Sequence, residues 1–319
     1  MGEHNLKIRA LVVMALMTTI LVSGCAMSQR SAVSTAVPGQ TPAVLKTASK
    51  AELIDQYNAL ADSVESLNAS VTIQLTSGSN YSGVIEQYHE ITGFILAQKP
   101  ADIRVIGQVP IVGKNIFDME SDGNTFHIFV PSKNQFLVGP ANLERASAKP
   151  IENLRPQHLL DAIFWQPIPR SSPVLIEETT VNPASFYVLT VVEGAAPANW
   201  RISRKIWFER TDLNMIRIDL FDQDGTPISL IRYANWDMFG AVRYPKQILL
   251  NRTLNDYQLE IQVTKLTPNE PVAPDRFVLD QPEGSQLVRV GQNSSKPEPQ
   301  KSDSGDPKPA DPKRTELRN

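Results

Sequence analysis

Along this chain the spacing of apolar residues changes several times, and each change marks a new element. Ala10 to Leu21 is a short apolar run behind Lys7 and Arg9. Residues 26–49 then carry Ser, Thr, Ala, Gln and Pro with only Arg30 and Lys46 charged, a composition that reads as a flexible tether. Leu53, Ile54, Tyr57, Leu60, Ala61, Val64 and Leu67 follow at helical spacing, with Glu52, Asp55, Asp62 and Glu65 on other faces. This pattern predicts an amphipathic helix that needs a partner.

After Asn68 the period falls to two, and strands are expected near 70–76, 81–97, 101–109, 114–120, 124–130 and 134–138. Their connections carry turn chemistry at Gly78-Ser79-Asn80, Pro110 to Gly113, Asp122-Gly123 and Pro131 to Asn134. A second helical segment, Pro156 to Phe164, places Leu159, Leu160, Ile163 and Phe164 on one side. More strands follow near 173–180, 185–192, 201–209, 213–221, 227–235, 241–250 and 257–265. Alternation is clean in several: Ile202, Ile206 and Phe208 oppose Ser203, Lys205 and Glu209. About twelve antiparallel strands with one polar face and few helices predict a mainly β fold. The expected form is a strongly curved antiparallel sheet, an unclosed half-barrel with a helical lid over its concavity. A β-sandwich is the competing architecture.

The single cysteine, Cys25, stands directly behind Val22, Ser23 and Gly24 and the apolar run. That arrangement resembles a bacterial lipoprotein signal, with small residues at the cleavage site and a thiol that accepts acyl chains. The run is too short for a membrane span of about 20 apolar residues. One cysteine also leaves no partner for an internal disulfide. The expected organisation is a signal peptide over 1–24, a lipidated Cys25 and tether over 25–49, and one domain over 50–291. A disordered Pro-rich, charged tail over 292–319 completes it. Ala26 rather than Asp after the cysteine points, by the sorting rule this signal resembles, to the outer membrane facing the periplasm.

The element order resembles that of the LolA/LolB-like superfamily of periplasmic carriers over residues 50–290. Familiar stretches are Phe117-Asp118 with Ser121 to Phe126 and Val130-Pro131, then Lys205 to Glu209, Asp222 to Gly225 and a closing Asp275 to Leu279. The resemblance implies a half-barrel whose apolar concave face, lidded by helices, receives acyl chains. It also implies an apolar residue protruding from the turn between the third and fourth strands, for which Ile111 and Val112 are the candidates. The family residue is a leucine, and a turn in which both side chains cover the core edge is the alternative.

Chemistry is sparse. Net charge is −3, without the basic excess of a nucleic-acid binder. Of four histidines, His127 reads as an outward strand residue and His158 as a structural residue near a helix start. Glu86 and His89 fall on opposite faces of a strand and do not make a metal pair. Asp222-Gln223-Asp224-Gly225 and Asp122-Gly123 read as turns rather than cation loops. Glu177 and Glu178 point apart. No nucleophile elbow, zinc helix or phosphate loop is present, so neither an enzyme nor a cofactor is expected. The leading expectation is a carrier or acceptor for lipid or acylated protein, membrane-bound through Cys25 and meeting a periplasmic carrier protein. A protein-interaction or sensor lipoprotein is second, and a hydrolase third.

Overall fold

The computed structural model describes residues 44–78, 86–87, 89–141, 155–194 and 199–291. Helix α1 (Lys50–Asp62) opens with a capping box in which the Ser49 hydroxyl accepts from the Glu52 N–H and the Glu52 carboxylate accepts from the Ser49 N–H. Strands follow as β1 (Ser66–Ser77), the short β2 (Glu86–Gln87), β3 (Ile91–Gln98), β4 (Asp102–Gln108), β5 (Asn115–Ser121), β6 (Thr125–Val130) and β7 (Gln135–Pro140). Helix α2 (Pro156–Ile163) leads to β8 (Val174–Val181), β9 (Ala184–Glu193), β10 (Arg201–Glu209), β11 (Met215–Phe221), β12 (Pro227–Phe239), β13 (Val242–Arg252), β14 (Tyr257–Pro268) and β15 (Gln286–Arg289).

All strands join one sheet, in the order β15-β7-β6-β5-β4-β3-β1-β14-β13-β12-β11-β10-β9-β8, with β2 beside β1. The sheet is curved and does not close, and every pairing is antiparallel except β15 with β7. Register shifts at Ser70/Val71, Gly107/Gln108, Ile202/Arg204, Trp207/Phe208 and Leu220/Phe221 insert bulges, which bend and twist the strands they interrupt. The sandwich alternative is not observed.

Three sequence expectations change. The first helix stops at Asp62 rather than running through Leu67, because Leu67 alternates with Ala69, Val71 and Ile73 and pairs with Ala97 and Pro268 in β1. The strand expected over 81–97 enters the described sheet as β2 and then β3 from Ile91. The segment Asp275 to Leu279 is not a strand: Pro274–Phe277 forms a 3-10 turn, and the chain continues to β15, which the sequence reading missed. Four residues with two central apolar side chains, between Gly284 and Gly291, are too few to show a period. Cys25, Val22, Ser23, Gly24 and the 292–319 tail lie outside the described residues.

The register places the fully described hairpin turns on two rims. The β3–β4, β5–β6, β8–β9, β10–β11 and β12–β13 turns share one rim; the β4–β5, β6–β7, β11–β12 and β13–β14 turns share the other. Lys46 is fixed at the first rim, its N–H donating to the Arg210 carbonyl at 2.7 Å and its own carbonyl accepting from Arg210 Nε at 3.3 Å. On the convex face, residues 270–285 run as a strap from β14 to β15. Arg104 holds the strap: its guanidinium donates to both carboxylate oxygens of Asp118 at 3.1 and 2.9 Å, and to the Arg276 and Val278 carbonyls, each at 3.1 Å.

Candidate functional site

Both described helices lie in the concavity, against the apolar face of the sheet. Helix α1 buries Leu53, Tyr57 and Ala61. Asn58 clamps it to the segment after α2, accepting from the Ile168 N–H at 2.8 Å and donating to the Ile168 carbonyl at 3.2 Å. Lys99 donates to the Ala61 carbonyl at 2.6 Å, a cation placed at the negative end of the helix.

Helix α2 begins with Pro156, whose missing N–H costs nothing at the first helical position. It carries the predicted lid residues Leu159, Leu160 and Ile163, with Phe164 as the cap, and all four are buried. The Tyr233 hydroxyl donates to the Ala162 carbonyl at 3.1 Å and the Tyr244 hydroxyl to the Ile163 carbonyl at 2.8 Å, satisfying two carbonyls that a helix end leaves open. Burial pushes both phenols well above their ordinary range, so they remain donors at any physiological pH. At the other end His158 Nδ1 meets the Tyr257 hydroxyl at 2.7 Å. Desolvation, then the Arg252 and Arg155 charges, hold His158 well below the usual histidine pKa, so the imidazole is neutral. Trp165 follows the helix, with ring centroids 5.7, 5.8 and 5.6 Å from Tyr233, Trp236 and Tyr244. A half-open cleft of about 60 Å³ beside α2 is bordered by Tyr57, Leu160, Phe164, Trp165 and Ile218. The buried apolar side chains of both described helices pack against the concave face.

The turn between β4 and β5, the third and fourth long strands, differs in kind. Ile111 is 106% and Val112 75% exposed, and neither covers the core. Val112 N–H donates to the Pro110 carbonyl at 2.8 Å, and Ile111 sits at φ 69°. Together these make a γ-turn of the rare positive-φ kind around a β-branched residue. It stands on the rim opposite Lys46.

His127 and both Asp-Gly motifs have local structural partners. His127 points outward, hydrogen-bonds Glu120 and stacks on Phe136 at 5.5 Å. Asp122 Oδ1 accepts from the Asn124 and Thr125 N–H groups, and Asp222 Oδ1 from the Asp224 and Thr226 N–H groups, so both Asp-Gly motifs are turns. Among the described residues no group of three or more His, Cys, Asp or Glu is placed to hold a metal. No described helix is long and apolar enough to cross a membrane. Sequence reasoning missed the tyrosine hydroxyls that pin α2, since only the fold brings residues 162 and 163 to 233 and 244.

The chain is similar to several solved structures. One is a LolA superfamily protein from Nitrosomonas europaea, at 11% identity over 73% of this chain and 99% of that one, TM-score 0.46. Another is a DUF1329 family protein from Desulfovibrio piger, at 11% identity over 71% and 95%, TM-score 0.47. A third, from Vibrio parahaemolyticus, is named for outer membrane lipoprotein sorting, at 8% identity over 71% and 94%, TM-score 0.42. No family model and no curated relative matches the sequence.

Proposed function

We propose that this chain is a non-enzymatic lipoprotein of the cell envelope, anchored through Cys25, that receives acyl chains between its concave sheet and α2. It would act as a carrier or acceptor of lipid or acylated protein at the outer membrane. The observation that carries the reading is the seating of α2: a two-turn helix whose apolar side chains occupy the space an acyl chain would need. Exposing Leu159, Leu160, Ile163 and Phe164 costs about 1.5–3 kcal/mol each, whereas each methylene of an incoming chain contributes about 0.8 kcal/mol on burial. A chain of roughly 8–15 methylenes therefore balances displacement of these side chains. Ile111 and Val112 supply an apolar first contact for the acyl chain. From Cys25 to Lys46 the backbone can reach about 70 Å, more than the roughly 25–30 Å between rims, so the exposed turn can face the anchoring membrane.

The test is native mass spectrometry and lipid extraction of the purified full chain, with displacement of a fluorescent fatty acid by an acylated peptide. Co-purified lipid and displacement support the reading; neither, in a folded protein, sinks it. The packing of the α2 side chains into the core favours a second reading, an envelope protein that recognises a polypeptide partner and carries no lipid, and the negative result would point there. Cys25→Ala should release the chain from membranes under both.

A further inference from the structure

The two edges of the sheet are finished differently. Along β7 the edge is covered by β15, with the Gln286 and Val290 N–H groups donating to the Asn134 and Val138 carbonyls, each at 2.8 Å. At the other end β8 pairs with β9 alone among the described residues. The Pro173 carbonyl accepts from the Val192 N–H at 2.9 Å, so residue 173 faces β9 and alternation turns the backbone groups of Val174, Ile176, Glu178 and Thr180 outward. Lys50 Nζ donates to the Val174 carbonyl at 3.2 Å, as that alternation requires. The outward groups of Ile176, Glu178 and Thr180 form a row that another strand can complete. Leu175 and Val181, on the convex side, are 66% and 61% exposed.

We propose that β8 is a docking strand for an extended segment of another polypeptide that carries a basic residue opposite Glu177. Apolar residues of that segment, two positions to one side and four to the other, would meet Leu175 and Val181. The backbone row specifies a strand as occupant, because only a strand presents matching groups at this spacing. Glu177 specifies the charge. Its cross-strand neighbour is Val188, and among the described residues it has no ion-pair partner, whereas Glu178 is held by Arg210 at 2.7 Å. A second copy of the chain fits poorly. In a two-fold pairing of β8 with itself, facing residues must share a side of the sheet, so the central registers set Glu177 against Glu177 or Glu178 against Glu178. Like charges directly opposite are destabilising. A groove of about 460 Å³ continues the surface from Val174 past Ile168 and Ile54, with Asp55 and Asp62 on one wall and Arg170 on the other. Its apolar floor and acidic excess suit the same basic, apolar segment.

The experiment titrates a synthetic ten-residue peptide into the full chain, with lysine fifth, valine two and four positions to either side of it on the same strand face, and threonine elsewhere. The same peptide with glutamate in place of lysine, and the lysine peptide N-methylated at alternate amides, serve as comparisons. Binding of the first, with at least tenfold weakening in the other two, is expected. Glu177→Lys should reverse the preference towards the glutamate peptide. Ile176→Pro removes an outward N–H and no β8–β9 ladder hydrogen bond, at a side chain that is already 38% exposed, so it should abolish binding while leaving the melting temperature within a few degrees. Binding that ignores both N-methylation and Ile176→Pro overturns strand addition, as does no binding at all. Concentration-dependent dimerisation lost in Ile176→Pro overturns the choice of a foreign partner in favour of self-pairing. Neither result depends on whether the concavity takes lipid.

Discussion

Leu160 and Ile111 are apolar side chains of similar size that the protein treats oppositely. Leu160 is 3% exposed on a helix pinned at both ends, packed into the core against the concave face. Ile111 is fully exposed, at a backbone angle that a β-branched residue resists. The first arrangement is what folding stability alone would select. The second is not, since Gly or Asn at position 111 would serve the turn better. An apolar side chain kept both exposed and strained points to work done outside the fold.

The covered region should break most severely at Trp165. Its ring packs against buried Tyr233 and Tyr244 and half-buried Trp236, and Trp165→Ala should cost about 3–5 kcal/mol in urea denaturation. A loss below about 1 kcal/mol would mean that the packing around α2 is not what fixes it. Tyr233→Phe and Tyr244→Phe act next, each leaving one α2 carbonyl without its donor at about 1–2 kcal/mol. Under the acyl-chain reading both changes also raise affinity for a fatty-acid probe, because the helix is then cheaper to displace. Lower stability with unchanged probe binding would separate α2 from any gating role.

A pH series sharpens the same contrast at the start of α2. The unfolded chain protonates residue 158 as pH falls through about 6.5. Folded His158 does not, since desolvation, Arg252 and Arg155 depress its pKa. Stability should therefore fall with decreasing pH below about 6.5, by up to about 1.4 kcal/mol per pH unit, until the folded pKa is reached. Asp161, raised by burial, contributes in the opposite direction. The comparison with His158→Gln isolates the histidine: the variant should show the shallower loss between pH 6.5 and 5. Parallel curves would assign the acid sensitivity elsewhere.

How much of this was legible in the sequence divides along the same line. Strands such as Ile206 to Phe208 and the seating of Leu159, Leu160 and Ile163 followed from period alone, because burial on one face forces a period. The rims did not, since β1 lies between β3 and β14 and only the 67-to-268 register reveals which turns are neighbours. Nor did the pinning of α2, which joins residues 71 and 81 positions apart. Pro110 and Gly113 announced a turn, but exposure and capping of the core are equally compatible with Pro-Ile-Val-Gly. The sign of φ at Ile111 is what distinguishes them, and a composition cannot carry a sign.

That sign gives the smallest and most diagnostic prediction. Replacing Ile111 and Val112 by Ser should change stability by less than about 0.5 kcal/mol, because exposed side chains add little to a core. Ile111→Gly should raise stability by up to about 1 kcal/mol, since glycine adopts φ 69° without the strain a β-branched residue incurs. Some of that gain is offset by the greater freedom of glycine in the unfolded chain. Acyl-chain transfer should slow in both variants. A variant that is more stable and less active identifies the turn as a functional site, because a residue retained for folding cannot have both effects. If Ile111→Gly transfers normally, the turn has no part in acceptance; if it is clearly destabilised, Ile111 makes a packing contribution that its exposure denies.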